Sequence, residues 1–159
     1  MADFEAEFFE KSQSLKSAVS EILRRSDSDF FPPLSTRVEL GAYAEKIVDS
    51  PDSFLVGARS ADRICALYVG YANTAFEYAF SPFMWVEPES RTSFIGLKIH
   101  MAAVKYIRGL GMRGIRAKTW LENNEKLLSF YKNLGYKIST PTYNPKLDRH
   151  DLNLELTFK

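Results

Sequence analysis

The chain has 159 residues, of which 45% are hydrophobic and 26% are charged, as is usual for a globular protein. This length suits one domain with one core, and we expect residues 1–159 to form it. The formal net charge of +1 gives no reason to expect nucleic acid or an anionic membrane as a partner. A single cysteine, Cys65, excludes an internal disulfide framework and is typical of a reducing compartment.

The start of the sequence is acidic and lacks the apolar segment of a secretory signal, and no apolar run is long enough to cross a bilayer. We therefore expect a cytoplasmic protein. The two histidines, His100 and His150, lie far apart, and no cluster of cysteine and histidine has zinc spacing. The sequence thus predicts no metal site.

The first predicted element is an amphipathic helix from about residue 3 to residue 25, broken near residues 12–14. Its apolar positions are Phe4, Phe8, Leu15, Val19, Ile22 and Leu23. Charges of both signs lie between them, which favours packing on a sheet over binding to a membrane surface.

An apolar loop follows, because Pro32 and Pro33 exclude a helix over residues 30–34. Ser35 or Thr36 is then expected to cap a second helix that ends at Ser50. The apolar positions of this helix are Leu40, Ala44, Ile47 and Val48.

Three strands come next. Residues 54–58 and 64–71 are rich in strand-forming side chains and flank a turn at residues 60–62, so we expect a hairpin. Residues 76–86 form a long aromatic strand, in which Pro82 predicts a bulge or an irregular edge.

A polar turn, residues 89–94, joins this strand to a helix with apolar residues at helical spacing. The helical positions are Ile95, Ile99, Ala102, Tyr106 and Leu110. Backbone N–H groups at the helix start lie beside Arg91, which is typical of a phosphate site. The alternative is a turn that only caps the helix.

The same sequence of elements then repeats. Residues 114–120 predict a strand, Asn123 and Asn124 cap a helix that Gly135 ends, and a short strand follows over residues 136–139. We expect parallel neighbouring strands, with room for a cofactor where two of them diverge. A polar linker, residues 140–150, leads to an alternating final strand, residues 152–158. The linker either shapes a substrate pocket or is an exposed hairpin loop.

Two motifs in the central segment carry a resemblance. The first is a strand ending V-x-P and a loop R/Q-x-x-G-x-G/A that opens a helix, and the second is N-x-x-A-x-x-x-Y-x-x-x-G-F/Y. The residues that match them are Val86, Pro88, Arg91, Gly96, Asn124, Tyr131, Gly135 and Tyr136. With these residues the segment resembles the GNAT superfamily of acyl-CoA-dependent N-acyltransferases. Glycine is expected in the loop at Phe94 and often at Thr92, and alanine in the second motif at Leu127.

The resemblance implies an α/β fold of the α+β type. Its central mixed sheet is mostly antiparallel, with helices on both faces and a V-shaped splay between two parallel strands. Family members usually begin with a strand before the first helix, and we see no room for one here, which would leave a sheet edge open. A homodimer of the family type is compatible with this reading.

The resemblance also implies acetyl-CoA as the acyl donor. Its pyrophosphate would take backbone N–H groups from the loop, whose residues are Arg91, Thr92, Ser93, Phe94, Ile95 and Gly96. A backbone N–H near Trp85 or Val86 would polarise the thioester carbonyl, and Asn124 would bond the pantetheine or place the second helix. Tyr131, which would also contact the cofactor, is assigned as the proton donor to the departing thiolate.

The expected function is transfer of acetyl from acetyl-CoA to a primary amine of a small polar acceptor, such as an amino sugar, an amino acid or a polyamine. A protein amine is less favoured. The candidates for contact with the acceptor are Phe30, Phe31, Arg37 and His150. The two phenylalanines could equally plug the edge of the core. No general base stands out among Glu77, Glu87, Asp148 and His150. The alternative function is a non-catalytic relative that senses acyl-CoA or binds a partner, suggested by Phe94 and the missing first strand.

Overall fold

The computed structural model describes residues 4–159, which form one eight-stranded sheet with helices on both faces. The strands are β1 (Glu7–Phe8), β2 (Ser53–Ser60), β3 (Arg63–Tyr71), β4 (Tyr78–Val86), β5 (Gly114–Trp120), β6 (Lys137–Ile138), β7 (Thr142–Asn144) and β8 (Arg149–Thr157). The helices are α1 (Gln13–Ser26), α2 (Leu40–Asp49), α3 (Ile95–Gly109) and α4 (Glu125–Asn133).

The strand order is β1-β2-β3-β4-β5-β8-β6, and β7 also pairs with β8. Every pair is antiparallel except β4 and β5, which are parallel. This mixed, mostly antiparallel sheet confirms the expected fold class. No helix within residues 4–159 combines the length and the apolar character needed to cross a membrane.

The two faces of the sheet carry separate apolar layers. Helices α1 and α2 pack on one face, where Leu55 and Leu67 are buried with Phe83. Helices α3 and α4 contribute to the other layer, in which Tyr68 and Ile115 are buried. The alternation of side chains along each strand therefore serves both layers.

The beginning of the chain differs from the expectation of one long helix. Helix α1 starts at Gln13 because the Ser12 hydroxyl accepts a hydrogen bond from the Leu15 amide at 3.1 Å. Before it, β1 pairs with β2, with Glu7 opposite Gly57. The first strand is thus present, and the expectation that it was missing is wrong. Its two residues are too few to show a strand period in the sequence.

The cap of α2 also differs from the expectation. Glu39 caps the helix, and its carboxylate accepts hydrogen bonds from the amides of Gly41 and Ala42 at 3.0 and 2.5 Å. Ser35 instead donates to Asp27, at 2.6 Å from its hydroxyl and 2.7 Å from its amide. Ser35 therefore helps to fold the loop between α1 and α2.

The last short strand does not lie beside β5, as we expected from the repeated strand and helix pattern. Strand β6 pairs with β8, which separates it from β5, and the β6–β8 pair is antiparallel. The linker over residues 140–150 contains β7, which folds against the start of β8 with Thr142 opposite Asp151. The hairpin reading of this linker is the one the structure shows.

Candidate active site

The parallel strands β4 and β5 separate within the sheet. Their pairing runs from Tyr78 opposite Gly114 to Ser81 opposite Ala117. Beyond this point β4 continues to Val86 and β5 to Trp120, but the two strands no longer pair with each other. The V-shaped splay expected from the resemblance is therefore present.

A bulge in β4 lies at the point of separation. Val69 of β3 is opposite Phe83, whereas Tyr71 is opposite Phe80, so β4 carries one extra residue at Ser81 and Pro82. The irregularity predicted at Pro82 is confirmed. Proline has no N–H to donate to a ladder, which explains why the pairing is irregular here.

A cleft of about 1170 Å³ opens in the splay. Its walls include Phe30, Ser81, Pro82, Phe83, Met84, Trp85, Val86, Arg91, Thr92, Phe94, Gly96, Leu97, Trp120, Asn124, Leu127, Phe130 and Tyr131. The loop before α3 and the tyrosine of α4 thus lie on one cavity. This is the juxtaposition that the two sequence motifs required.

The N-terminus of α3 presents free backbone donors at this cleft. Within the described part of the chain, no backbone carbonyl accepts from the amides of Phe94, Ile95 and Gly96. No side chain caps this helix, and the Ser93 hydroxyl donates to the Ser90 carbonyl at 2.5 Å. Phe94 and Gly96 line the cleft whereas Ile95 is fully buried, so the amides of Phe94 and Gly96, at the positive end of a 15-residue helix, are available to bind an anion there.

The start of α3 packs against β4 at Gly96, which lines the cleft. A Cβ added at Gly96 would lie 3.5 Å from both Met84 Cε and Val86 Cγ2, which is ordinary van der Waals contact. Thr92 lines the same cleft, whereas Ile95 is fully buried beneath the loop. The backbone, rather than the side chains, can thus approach a bound phosphate.

Phe94 stands where the family pattern has a glycine. Its φ of 61° is in the left-handed region, which glycine occupies without steric strain. Its ring is 75% exposed at the rim of the cleft. The ring therefore does not block the splay, and the backbone N–H of the position is retained.

Arg91 lies beside this anion site, but its side chain has other partners. Its Nε donates to the Val86 carbonyl at 2.9 Å, and its Nη2 lies 3.2 Å from Asp29 Oδ2. The same Asp29 oxygen accepts a hydrogen bond from Trp85 Nε1 at 2.8 Å. Asp29 was not among the candidates from the sequence, because a lone acid in a polar loop carries no distinctive signal.

Tyr131 is buried on α4 and lines the cleft. Burial raises the pKa of its phenol to about 12, so the hydroxyl is protonated at neutral pH. Phe130 and Tyr136 pack against its ring, with centroid separations of 5.6 and 5.0 Å. These contacts restrict the orientation of the ring.

Asn124 begins α4 but does not cap it through its side chain. Its Nδ2 donates to Thr119 Oγ1 at 3.0 Å and to the Trp120 carbonyl at 2.7 Å. The residue therefore ties the start of α4 to the end of β5, which sets the position of Tyr131. Of the two roles considered for Asn124, these contacts favour the one that places the helix.

The four residues expected to contact the acceptor do not come together. Phe30 lines the cleft and stacks between Phe83 and Trp120, at centroid distances of 5.7 and 5.8 Å. Phe31, Arg37 and His150 are exposed and outside the cleft lining.

The three residues outside the lining have other surroundings. The Phe31 carbonyl accepts from Arg149 Nη1 at 2.7 Å, and His150 Nδ1 lies 2.6 Å from Glu122 Oε1. Arg37 is exposed as a whole, but desolvation of its guanidinium, and then the charge of the neighbouring Arg149, lower its pKa.

The candidate general bases also lie elsewhere. Glu87 is buried in ion pairs with Arg25 and Arg63, at 2.6 and 2.8 Å. Glu77 pairs with Arg113 at 3.3 Å and is outside this cleft. Among residues 4–159 no group of His, Cys, Asp and Glu side chains could hold a metal ion.

A scan against models of protein families gives no match, and a search of curated protein sequences gives none either. Solved structures do match. A GNAT-family acetyltransferase from Desulfovibrio desulfuricans has a TM-score of 0.78 at 16% identity, covering 96% of this chain and 98% of that one. An aminoglycoside 6′-N-acetyltransferase complexed with coenzyme A has a TM-score of 0.77 at 17% identity, covering 96% of each chain.

A third similar structure is a ribosomal-protein alanine N-acetyltransferase from Escherichia coli. Its TM-score is 0.75 at 12% identity, and the alignment covers 96% of this chain and 93% of that one. These similarities extend over nearly the whole chain. The chain therefore has the fold of the GNAT acetyltransferases.

Proposed function

We propose that the protein is an N-acetyltransferase that moves an acetyl group from acetyl-CoA to a primary amine of a small polar acceptor. One observation carries the proposal. The free amides of Phe94 and Gly96 at the start of α3 and the Tyr131 side chain lie on one cleft, which opens where β4 and β5 separate. Acetyl-CoA would supply a thioester-activated acetyl group, and one similar structure is a complex with coenzyme A.

The residues present fit this cofactor. The amides of Phe94 and Gly96 would bind the pyrophosphate, helped by the positive end of α3. Beyond Ser81 one edge of β4 is no longer paired with β5, so N–H groups on that edge can face the cleft. Such a donor would stabilise the negative charge that develops on the thioester carbonyl oxygen.

Tyr131 would assist departure of the sulfur. A phenol with a pKa of about 12 does not readily give its proton to a thiolate of ordinary pKa near 8.5, because full transfer is uphill by about 5 kcal/mol. Hydrogen-bond donation from the phenol to the departing sulfur avoids this difference. We therefore assign Tyr131 as a hydrogen-bond donor to the leaving group, with the final proton taken from solvent.

The two features that suggested a non-catalytic relative no longer support that alternative. The first strand exists and pairs with β2, and the Phe94 ring is exposed. The names of the similar structures do not decide the type of acceptor, because one is an aminoglycoside acetyltransferase and another is a ribosomal-protein acetyltransferase. We propose a small amine because the cleft is concave and its lining includes the aromatic rings of Phe30, Phe83 and Trp120, as is typical of small-molecule sites.

The test compares wild type with Tyr131→Phe. Titration calorimetry with coenzyme A should show binding to both, because the phenol hydroxyl is not part of the anion site. Thiol release with a panel of amines should fall about 100-fold in kcat for the variant, the lower end of the range for a single catalytic group. Tyr143→Phe is the matched control, since that exposed phenol bonds only Asp148. Absence of coenzyme A binding to wild type would contradict the proposal.

A further inference from the structure

Asp29 is a carboxylate at the mouth of the cleft that the proposed reaction does not yet use. It follows α1, its side chain is half exposed, and it lines the cleft together with Trp85 and Arg91. Trp85 Nε1 and Arg91 Nη2 both donate to its Oδ2, at 2.8 and 3.2 Å. Within residues 4–159 no donor reaches its Oδ1. One carboxylate oxygen is therefore fixed by the indole while the other is open.

The two hydrogen bonds to Asp29 Oδ2 differ in how easily they can be broken. Trp85 is buried in the layer beneath α1 and α2, so its indole N–H cannot leave Asp29 without disturbing that layer. In the ion pair between Arg91 and Asp29 both side chains are about half exposed, and such pairs contribute only about 0–1 kcal/mol to stability. A pyrophosphate at the start of α3, which carries two negative charges, can therefore compete for the same guanidinium.

Two other arginines on this side of the sheet, Arg25 and Arg63, are held by a different carboxylate. The Arg25 guanidinium lies 5.1 Å from the centre of the Trp85 ring, but its Nη2 is 2.6 Å from the buried Glu87 carboxylate. Arg63 is held by the same carboxylate at 2.8 Å. When Arg91 turns to a phosphate, neither of these arginines replaces it, and Asp29 is left as a half-exposed carboxylate in the wall of the cleft, whose lining also includes Lys118 and Lys126.

We propose that Asp29 binds a protonated amine of the acceptor and that Arg91 masks this site until the cofactor's pyrophosphate draws the guanidinium away. This inference rests on the proposed function. The attacking amine must be neutral, so the group on Asp29 is a second amine. The acceptor class is accordingly a diamine, a polyamine or a sugar with more than one amino group, and its binding is favoured after that of the cofactor.

The first experiment measures binding without turnover. Titration calorimetry of an aliphatic diamine into wild type should show affinity at least 10-fold higher in the presence of desulfo-coenzyme A than in its absence. In Asp29→Asn, which keeps an acceptor for Trp85 Nε1 but removes the charge, this enhancement should disappear. Coenzyme A itself should bind Asp29→Asn as tightly as wild type or up to about 5-fold more tightly, because Arg91 is released.

Two further variants sharpen the test. Asp148→Asn removes an exposed carboxylate outside the cleft and should leave the enhancement unchanged. Arg91→Gln removes the mask, so the diamine should bind it without cofactor about as tightly as it binds the loaded wild type. A monoamine of the same length should show no dependence on Asp29.

The outcomes separate the two proposals. If coenzyme A does not bind wild type, the proposed function fails. If coenzyme A binds but Asp29→Asn keeps the full diamine enhancement, the acetyltransferase assignment stands and the role of Asp29 is overturned. The same holds if Arg91→Gln gains no affinity for the diamine in the absence of cofactor.

Discussion

At the scale of single residues, Phe94 shows how a departure from a motif can be tolerated. A non-glycine residue with φ near 61° carries a steric penalty of about 1–2 kcal/mol, because its Cβ approaches the following carbonyl oxygen. The ring is directed into solvent, so it recovers little of this penalty by packing. The position therefore keeps the donor geometry of the loop at some expense of stability.

We expect Phe94→Gly to be more stable than Phe94→Ala by about 1 kcal/mol, although glycine usually loses more chain entropy on folding. Alanine removes the same ring but keeps the strained φ, so the difference between the two variants isolates the backbone term. Urea denaturation of both variants measures it. Equal stability of the two would mean that the loop changes its backbone conformation when the ring is absent.

At the scale of elements, β5 holds the sheet together between the parallel β4 and the antiparallel β8. Gly114 lies where all three strands meet, opposite Tyr78 on one side and Thr157 on the other. A Cβ here would overlap the Leu156 carbonyl oxygen and lie 2.8 Å from Tyr78 Cε1. The strands could accommodate it only by moving apart at the end of the β4–β5 pairing that lies farthest from the splay.

Gly114→Ala should therefore destabilise the fold by more than about 2 kcal/mol, in the range of overpacked core positions. Gly109→Ala is the matched control, because nothing lies within 4 Å of a Cβ added at that helical position. It should be neutral or stabilising by up to about 1 kcal/mol. Equal unfolding midpoints in guanidinium for the two variants would contradict the close approach at Gly114.

The same scale shows what the sequence could and could not predict. Helix α3, the hairpin of β2 and β3, and the bulge at Pro82 follow from periodicity and from the missing proline donor, which are local properties. Strand β1 has only two residues, and β6 pairs across β8, so both depend on partners far along the chain. The cap of α2 by Glu39 was missed because Ser35 and Thr36 were the better local candidates.

The candidate site divides in the same way. The two motifs predicted that the loop before α3 and Tyr131 would meet, because each motif sits at a fixed place on its helix. Phe31, Arg37 and His150 were chosen from loops, whose positions are set by tertiary contacts such as the bond from Arg149 to the Phe31 carbonyl. Asp29 was missed for the same reason, since only the folded chain brings it to Trp85 and Arg91.

At the scale of the whole molecule, His100 joins elements from three parts of the chain. It lies on α3 and is 1% exposed, and its Nε2 is 2.7 Å from the Tyr136 hydroxyl beyond α4. Its ring also packs edge-on against Tyr68 of β3, with centroids 6.1 Å apart. The layer that carries Tyr131 is thus organised around a buried neutral imidazole.

This burial links the stability of the fold to pH. Desolvation lowers the pKa of His100 from 6.5 to about 4, so the unfolded chain binds a proton between these values that the native state does not. The contribution of His100 to the free energy of unfolding is complete above pH 6.5 and is lost as the pH falls toward 4. The total loss is about 3 kcal/mol. Above pH 10 the raised pKa of buried Tyr131 acts in the other direction, and stability falls as the pH approaches about 12.

Carboxylates also titrate in acid, so the histidine term is best measured as a difference. Urea unfolding of wild type and His100→Gln at pH 7.5 and at pH 4.5 should show a smaller acid loss in the variant, by about 2–3 kcal/mol, although the variant is less stable at pH 7.5. If His100→Gln loses as much stability in acid as wild type does, the imidazole is not held neutral, and the layer beneath the cleft must open to admit its proton.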